Sequence, residues 1–362
     1  MKNAVYDWSI LVVCSTSILS TFSQGHAANL LFSDTFTNSS LNTNFWNPFI
    51  CDVPSGGWPW NMQTGQPQPS SAIDKTNAYA ADYELPSLIS TGAGLQMTLQ
   101  SGTTATGYTW SGSIICSYPI TNAFSRCRGF TFTNGYAEVR AKFPGATNGC
   151  WSSLWFLAGP GSNGGEIDLH EGGYLSGSTN PDQIMACNFH SAGNSQKLFN
   201  TGTSLSADYH VYGMEYLPGR SVKMFFDGAL AAAFTNNVTN CSYYLILKNG
   251  LASGKTAGWH SQTNAATASP SLMFVDYVKV YDARPLPRIS SAAWNSKTNL
   301  IFSGTNGTPT ASYRVLCATN LQLPLINWQA IATNHFDLSG QFCSTNSFST
   351  AASQKFFTIS VP

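Results

Sequence analysis

Three acidic side chains stand within six positions of a chain in which only 9% of residues are charged. They are Glu166, Asp168 and Glu171. Apolar residues alternate with the first two acids, which predicts a β-strand with a buried back face. In a plain strand Glu171 would point away from the face that Glu166 and Asp168 share, because successive side chains alternate. One extra residue, a β-bulge at Leu169 or His170, returns Glu171 to that face.

Such a cluster suits acid–base chemistry on a glycosidic bond. Like charges on one face repel each other, which raises the pKa of at least one carboxyl group and keeps it protonated near neutral pH. Glycoside hydrolysis needs one ionised carboxylate and one protonated acid. Its retaining form requires the two carboxyl groups to lie about 5–5.5 Å apart. A solvated acidic turn and a calcium site, which takes several oxygen ligands, are the alternative interpretations.

The elements that must position the acids are predicted to be strands. Residues 136–143 alternate apolar and polar side chains, which is typical of a half-buried strand. Two apolar runs in residues 222–234 flank Asp227-Gly228, a dipeptide that favours a tight hairpin turn. Further strand patterns occupy residues 95–99, 183–190, 210–217 and 274–281. Many short strands between Gly, Asn and Pro turns predict an all-β fold, namely an antiparallel β-sandwich.

Composition divides the chain into four predicted parts. Residues 1–27 are interpreted as a signal peptide, because Lys2 precedes a short apolar stretch and small residues follow it. A buried N-terminal strand and an uncleaved anchor are the alternatives. Residues 28–284 form the predicted catalytic domain, the proline-containing residues 285–289 a linker, and residues 290–362 a small C-terminal β-module of unknown role. We therefore expect a secreted protein, extracellular or periplasmic, with no membrane span after processing.

The charge balance excludes some classes of partner. Lys plus Arg and Asp plus Glu number 17 each, which gives no electrostatic basis for binding nucleic acid or an acidic membrane. Aromatic residues make up 13% of the chain, which favours a stacking ligand such as a sugar ring. We expect a monomer.

Nine cysteines are present, of which Cys14 lies in the predicted signal peptide. Export makes disulfides plausible, and the preferred pair is Cys317 with Cys343, because both lie in the C-terminal module. A bond between Cys116 and Cys127 could close a loop. Buried free thiols are the alternative. The chain has no CxxC pair, which argues against a zinc or redox site.

The acidic segment and its neighbours resemble glycoside hydrolase family 16, which contains laminarinases and lichenases. The segment is similar to the ExDxxE form of that family's catalytic strand. Other segments agree with the family in order; they are residues 31–36, 45–46, 132–143, 151–157, 209–228 and 275–281. The resemblance covers residues 28–282, about 70% of the chain. It implies a concanavalin-like β-jelly roll whose concave sheet forms an open cleft for a polysaccharide.

By the same resemblance Glu166 is the nucleophile, Glu171 the general acid/base, and Asp168 a hydrogen-bonding partner that tunes the nucleophile. The implied reaction is retaining, endo-acting cleavage of β-1,3- or mixed β-1,3-1,4-glucan, with no cofactor required. A galactan hydrolase of the agar or carrageenan type and a non-catalytic β-glucan-binding lectin are the alternatives. Some family members bind a structural calcium ion, for which Asp276 is the candidate here. His170 departs from the family, which usually has an apolar residue at that place.

Five further residues are candidate sugar contacts. Trp151 and Trp155 lie four positions apart in a predicted strand, so both can face the cleft, although packing in the core is an equal alternative. His190 matches a family position near the cleft and can bond a sugar hydroxyl; a core histidine is the alternative. Trp60 and Trp259 lie in loop-like sequence and are expected to shape outer subsites.

Overall fold

The computed structural model describes residues 28–48, 82–103, 108–119, 128–159, 165–177, 179–294, 299–323, 325–347 and 354–361, with four isolated strands at residues 9–14, 17–22, 60–61 and 66–67. The chain divides into two compact units. The larger contains Leu30–Phe226 and Leu230–Asp282. The smaller contains Met1–Asn29, Asp227–Ala229 and Ala283–Pro362.

Strands are the main regular secondary structure of the described residues. After β1 (Ser9–Cys14) and β2 (Ser17–Phe22), the strands of the larger unit are β3 (Leu30–Asp34), β4 (Trp60–Asn61), β5 (Gln66–Pro67), β6 (Tyr83–Glu84), β7 (Ile89–Ser90), β8 (Leu95–Ser101), β9 (Trp110–Cys116), β10 (Gly135–Lys142), β11 (Cys150–Ala158), β12 (Glu166–Glu171), β13 (Ile184–His190), β14 (Asn194–Asn200), β15 (His210–Leu217), β16 (Ser221–Phe226), β17 (Ala229–Phe234), β18 (Tyr243–Leu251) and β19 (Ser271–Tyr281). Four short 3-10 helices lie between them, at Pro86–Leu88, Ala146–Asn148, Pro181–Gln183 and Gly254–Thr256.

One continuous path of hydrogen-bonded strands runs through this unit. Its order is β14-β13-β12-β11-β18-β9-β8-β19-β10-β15-β16-β17, with β3 beside β19, β7 beside β8 and β6 beside β9. The strands around the acids pair antiparallel, whereas the short β6 runs parallel to β9. Strand β12 therefore lies inside the sheet, between β11 and β13, and both neighbours hold its backbone.

The two halves of this path pack on each other around one core. Phe156 of β11 and Ile167 of β12 are fully buried in the same cluster as Val139 of β10 and Met214 of β15. Burying side chains of this size contributes roughly 1.5–3 kcal/mol each relative to exposure. The prediction of an all-β antiparallel sandwich is confirmed, and the sandwich fixes β12 with its apolar side chains inward.

Local sequence accounts for the strands that were predicted. The alternating segment at 136–143 is β10, in which Val139 is buried in the core. The hairpin at 222–234 is β16 and β17, and its turn places Asp227 at φ 46° and Gly228 at φ 84°. Positive φ at both central residues is the backbone of a type I′ turn, which the Asp-Gly dipeptide adopts readily.

The smaller unit has its own sheets and core. Its remaining strands are β20 (Arg288–Trp294), β21 (Asn299–Thr305), β22 (Ser312–Ala318), β23 (Gln329–His335), β24 (Phe342–Ser347) and β25 (Gln354–Ser360), with a 3-10 helix at Leu325–Asn327. They form the sheets β2-β1-β25-β22-β23 and β20-β21-β24. Buried Ile289, Phe302 and Phe357 share one cluster. Strand β20 begins at Arg288, within the predicted linker 285–289, because Ile289 packs into that core.

The predicted signal segment contains β1 and β2, which pair as an antiparallel hairpin. Leu11 to Cys14 also pair with Gln354 to Phe357 of β25. Strand pairing does not test processing, and cleavage after residue 27 stays a prediction. Within the part of the chain that the structure describes, no helix is long and apolar enough to cross a membrane.

The predicted disulfide between Cys317 and Cys343 is wrong, since both thiols are free. Cys317 lies on β22 and Cys343 on β24, which belong to different sheets, and the Cys343 side chain is exposed. The other suggested partner, Cys127, lies outside the described residues. Cys150 and Cys187 are buried free thiols, as the alternative interpretation has it.

Candidate active site

The acidic strand contains the predicted bulge. Against β11, Asp168 pairs with Trp155 and His170 with Leu154, so Leu169 is the extra residue. The register against β13 also shifts between Asp168 and Glu171. Leu169 is fully buried, and its carbonyl oxygen accepts from the Cys187 thiol at 3.7 Å. The bulge thus turns two successive side chains, those of Leu169 and His170, inward and returns Glu171 to the face of Glu166 and Asp168.

Three neutral donors surround the Glu171 carboxylate. The indole Nε1–H of Trp151 donates to Oε1 at 2.9 Å. The Tyr174 hydroxyl donates to Oε2 at 3.1 Å, and the Asn188 side-chain amide donates to the same oxygen. Both carboxylate oxygens are therefore fixed, each by a group from a different element, which holds the carboxyl plane in one orientation.

Asp168 lies between the two glutamates and is 1% exposed. Its Oδ2 is 3.0 Å from Nε2 of His190, and it shares a side-chain hydrogen bond with Glu166. Glu166, Asp168 and His190 each offer one atom, a carboxylate oxygen or an imidazole nitrogen, that could bind a metal ion. These three atoms all lie within 4.8 Å of one another. Nδ1 of His190 is 2.8 Å from the side-chain oxygen of Asn194, which orients the imidazole ring.

The environment raises the pKa of all three carboxyl groups, for different reasons. Burial and then the charges of Glu171 and Glu166 raise the pKa of Asp168 well above its usual range. Burial and then the charge of Glu166 raise the pKa of Glu171, while its three donors lower it. Burial also raises the pKa of Glu166, against which His190 and the bond with Asp168 act. Asp168, whose pKa is raised most, therefore keeps its proton and uses it to donate a hydrogen bond to Glu166. The charges of Glu166 and Glu171 repel each other, so the protonation of one affects the pKa of the other.

Aromatic rings enclose the Glu171 side of the site. The ring of Trp259 lies 5.8 Å from that of Trp151 and 4.9 Å from that of Tyr174. His260, which is 1% exposed, lies 5.2 Å from Trp151. Trp151 and Trp259 are both half-buried. The structure therefore brings these two of the predicted tryptophans to the acids, and Trp151 contacts the carboxylate itself.

Trp155 shares the face of Asp168 but presents little surface there. It pairs across β11 and β18 with Ile246 and is 8% exposed. Its neighbours in a small apolar cluster are Ile246, Tyr244, Ile114 and Cys116. This is the core packing given above as the alternative to an open sugar contact.

Two further candidates lie apart from the acids. Trp60 belongs to the short strand β4, and its side chain is outside the described part of the chain. Asp276 forms an ion pair with Arg140 at 2.8 Å. Among the described residues, the set of three acidic, histidine or cysteine side chains that could hold a metal does not include Asp276. A structural calcium ion at Asp276 stays a prediction.

Sequence reasoning missed two of the groups that fix Glu171. Asn188 lies two positions before His190, so strand alternation places both on one face. The alternation that predicts His190 on the face of the acids therefore predicts Asn188 there as well. Tyr174 follows Gly173, whose φ of 92° reverses the chain after the acidic strand. No local periodicity predicts that this turn directs the Tyr174 hydroxyl back to the carboxylate.

His170 occupies an apolar environment behind the bulge. It is 1% exposed, and its ring packs at 4.4 Å from Phe143 and 5.3 Å from Tyr212. Neither ring nitrogen has a hydrogen-bond partner among the described residues. Burial lowers its pKa to about 3, so the ring is neutral at ordinary pH. His170 thus fills the place of an apolar residue and takes no part in the acidic cluster.

Known proteins resemble this chain in sequence and in fold. The sequence model described as "Glycosyl hydrolases family 16" matches residues 89–278, which is about half of the chain. A curated protein, glucan endo-1,3-beta-glucosidase A1 of Niallia circulans, is 26% identical over an alignment of 279 residues that covers 70% of this chain. The chain spans only 38% of that protein's length.

Solved structures share the fold. The laminarinase catalytic domain of Thermotoga maritima is 18% identical with a TM-score of 0.54, and the match covers 71% of this chain and 98% of that domain. The endo-beta-1,3-glucanase of Pyrococcus furiosus is 20% identical with a TM-score of 0.52, covering 70% of this chain and 94% of that one. At these identities the likeness shows the sandwich alone. The family match spans the bulged strand with all three acids, and the chain belongs to glycosyl hydrolase family 16.

Proposed function

We propose that this chain is a retaining, endo-acting hydrolase of β-1,3- or mixed β-1,3-1,4-glucan. One observation carries the proposal: the bulge at Leu169 places Glu171 on the face of Glu166 and Asp168, where three neutral donors hold it. The glucanase relatives support glucan as the substrate class. The family alone implies a glycosidic bond as the point of attack.

In the first step Glu166 and Glu171 act on opposite ends of the breaking bond. A carboxylate oxygen of Glu166 attacks the anomeric carbon, and the bond from that carbon to the leaving oxygen breaks with its electron pair on the oxygen. Glu171 gives its proton to this oxygen, so the leaving chain departs as an alcohol. The raised pKa of Glu171 supports this role, because the group must be protonated when substrate binds.

In the second step the roles reverse. Glu171, now ionised, removes a proton from water as the water oxygen attacks the anomeric carbon. The ester bond to Glu166 breaks and its electron pair returns to the carboxylate. Two displacements at one carbon retain its configuration, and Glu171 ends the cycle protonated.

Asp168 and His190 adjust the nucleophile. A protonated Asp168 donates a hydrogen bond to Glu166, which stabilises the negative charge of the attacking carboxylate. His190, at 3.0 Å from Asp168, fixes that carboxyl group from the open side of the site. Both side chains are thus expected to influence rate without forming bonds to the substrate's reacting carbon.

A reducing-end assay tests the proposal. Purified wild type is incubated with laminarin, lichenan, agarose and carrageenan, beside the variants Glu166→Gln and Glu171→Gln. We expect product from laminarin or lichenan, and a fall in turnover of about 10³-fold in each variant. Glu215→Gln is the matched control, since Glu215 pairs with Lys223 on β15 and β16 and leaves the site unchanged.

Other outcomes identify the alternatives. Product from agarose or carrageenan alone would make the chain a galactan hydrolase. Binding to glucan without any new reducing ends would make it a lectin-like protein. Near-normal turnover in either glutamine variant would reject the assignment of the two glutamates.

We also infer that the protein is exported, monomeric and independent of a cofactor. Mass spectrometry of protein from the native host's medium should show a chain that begins near residue 28; a secreted chain that retains residues 1–27 contradicts cleavage. Light scattering after gel filtration checks the monomer. Dialysis against EDTA should leave the rate unchanged, and a calcium ion at Asp276 would show itself as a lower melting temperature after dialysis, restored by calcium.

A further inference from the structure

The segment that follows Glu171 is held by a distant part of the chain. The Leu175 N–H donates to the Trp259 carbonyl at 2.9 Å, and the Ser261 N–H donates to the Gly173 carbonyl at 2.8 Å. Tyr174 and His260 form an antiparallel bridge between these two bonds. Residues 173–175 and 259–261 are therefore a short ladder outside the main sheet, and its centre is His260.

The imidazole of His260 makes two short contacts with backbone oxygens. Its Nε2 lies 2.6 Å from the Gly172 carbonyl and its Nδ1 lies 2.7 Å from the Ser261 carbonyl. A carbonyl oxygen only accepts, so each contact is a hydrogen bond only if that nitrogen carries a proton. Burial lowers the pKa of His260, which favours the neutral ring with a single N–H. When Nε2 carries that proton, it donates to the Gly172 carbonyl and ties the residue directly after Glu171 to His260.

Gly173 shows how closely the ring fits. A Cβ atom at this position would lie 2.2 Å from Cε1 of His260, and φ of Gly173 is 92°. Only glycine combines this backbone conformation with so near a ring. The turn after the acidic strand and the His260 side chain are thus shaped to each other.

The same ring contacts both aromatic donors of Glu171. Its centroid lies 5.2 Å from the Trp151 ring and 5.9 Å from the Tyr174 ring. Trp151 donates to one oxygen of the Glu171 carboxylate and Tyr174 to the other. A shift of His260 therefore moves the backbone beside Glu171 and both of these donors together.

We propose that His260 is a positioning residue for the acid/base Glu171, acting through Gly172, Trp151 and Tyr174. This inference rests on the proposed function, in which Glu171 protonates the leaving oxygen. The His260 imidazole is 1% exposed and packs against the rings of Trp151 and Tyr174, so it does not contact the substrate. Its loss disturbs proton transfer first, because proton transfer requires the Glu171 oxygen to lie in line with the leaving oxygen.

Leaving-group dependence tests the proposal. The variant His260→Phe keeps an aromatic ring and removes both ring nitrogens, and with them the N–H donor. With an unsubstituted glucan oligosaccharide we expect kcat/KM to fall by roughly 10- to 100-fold. With a 2,4-dinitrophenyl glycoside of the same sugar the fall should be less than about threefold, because this phenolate leaves without protonation. His210→Phe is the matched control: His210 packs on Phe226, away from the acids, and both substrates should react normally.

The variant Glu171→Gln distinguishes a failure of the proposed role of Glu171 from a failure of the role inferred for His260. If kcat/KM of Glu171→Gln falls equally on both substrates, the proposed role of Glu171 as the acid of the first step is wrong, because kcat/KM reports only that step. If Glu171→Gln shows the leaving-group dependence and His260→Phe loses equally on both, His260 serves folding only and this inference is overturned. Should His260→Phe fail to fold, His260→Gln, which removes the ring that contacts Trp151 and Tyr174, decides by the same ratio. A selective loss supports the proposal, and an equal loss or no loss overturns it.

Discussion

Trp151 donates its indole N–H to Oε1 of Glu171 across 2.9 Å. The contact links β11 to the last residue of β12, and it exists because the bulge at Leu169 brings Glu171 to the Trp151 side of the sheet. Charge-assisted bonds of this kind are about twice as strong as bonds between neutral groups. Trp151, which the sequence predicts as a sugar contact, therefore also lowers the pKa of Glu171.

Replacing this donor should raise the pKa of Glu171. Hydrogen bonds to the ionised form lower a carboxyl pKa, so their removal raises it. Glu171 acts as an acid in the first step, and the basic limb of the kcat/KM profile reports its titration, coupled to Glu166 and Asp168. We expect Trp151→Phe and Tyr174→Phe each to move the basic limb to higher pH.

The control for this experiment is Trp46→Phe. Trp46 also donates its indole N–H to a carboxylate, Asp34, at 2.9 Å, in another part of the larger unit. Its substitution should leave both limbs in place below the melting temperature. A basic limb that moves to lower pH in Trp151→Phe would contradict the role given to the indole.

Asp168→Asn should stabilise the protein at neutral pH. The folded-state pKa of Asp168 lies well above its usual value, so its contribution to stability is present at low pH and is lost as pH rises. Asparagine carries no charge and escapes this loss. The melting temperature of the variant should match wild type near pH 3 and exceed it at pH 7, by roughly 2–4 °C for each kcal/mol gained. Asp208→Asn, at an exposed site, should show no such trend. A lower melting temperature of Asp168→Asn at pH 7 would refute the prediction.

His190→Ala should slow catalysis through Asp168. The variant loses the contact of 3.0 Å between Nε2 of His190 and Oδ2 of Asp168. The contact is ionic and not a well-aligned hydrogen bond, since the buried Oδ2 of Asp168 has no hydrogen-bond partner among the described residues. Its loss should lower kcat/KM by roughly 10-fold, which corresponds to about 1.4 kcal/mol. Its acidic limb should move to higher pH, because the charge of His190 lowers the pKa of Glu166. Asn194→Ala, which removes only the second partner of His190, should have a smaller effect; equal rates for His190→Ala and wild type would exclude a role for the histidine.

His170→Met should reduce the sensitivity of folding to acid. The pKa of His170 falls from 6.5 to about 3 on folding, so the unfolded chain binds a proton that the native protein does not. The free energy of unfolding is therefore unaffected by His170 above pH 6.5, and it decreases as the pH falls from 6.5 toward 3. Linkage gives a loss of about 2 kcal/mol between pH 7 and pH 5, which the methionine variant should lack. Urea unfolding at the two pH values measures it, and an identical loss in both proteins would contradict a neutral buried ring.

Local sequence predicted the strand that carries the acids and its irregularity. Alternation of Ile167 with its acidic neighbours fixed the inward face, and the spacing to Glu171 demanded one extra residue. The tight turn at Asp227-Gly228 followed from residue types alone. These features depend on contacts between residues near each other in the chain.

Features that depend on strand order escaped sequence reasoning. Trp155 is on the predicted face, and its burial depends on Ile246 of β18, which is 91 positions away. His260 meets Gly172 across 88 positions. Cys343 and Cys317 fall on different sheets, which their separation of 26 positions does not reveal. In each case long-range pairing decides, and no local periodicity records it.

Trapping the glycosyl-enzyme tests the central claim most directly. The protein is incubated with an activated 2-deoxy-2-fluoro-glucosyl fluoride, which slows the second displacement. It is then digested, and the masses of its peptides are measured by mass spectrometry. We expect one added fluoroglycosyl group on Glu166, and no label in Glu166→Gln. A label on another residue, or no label together with a product of inverted anomeric configuration by NMR, would contradict the pairing of Glu166 with Glu171.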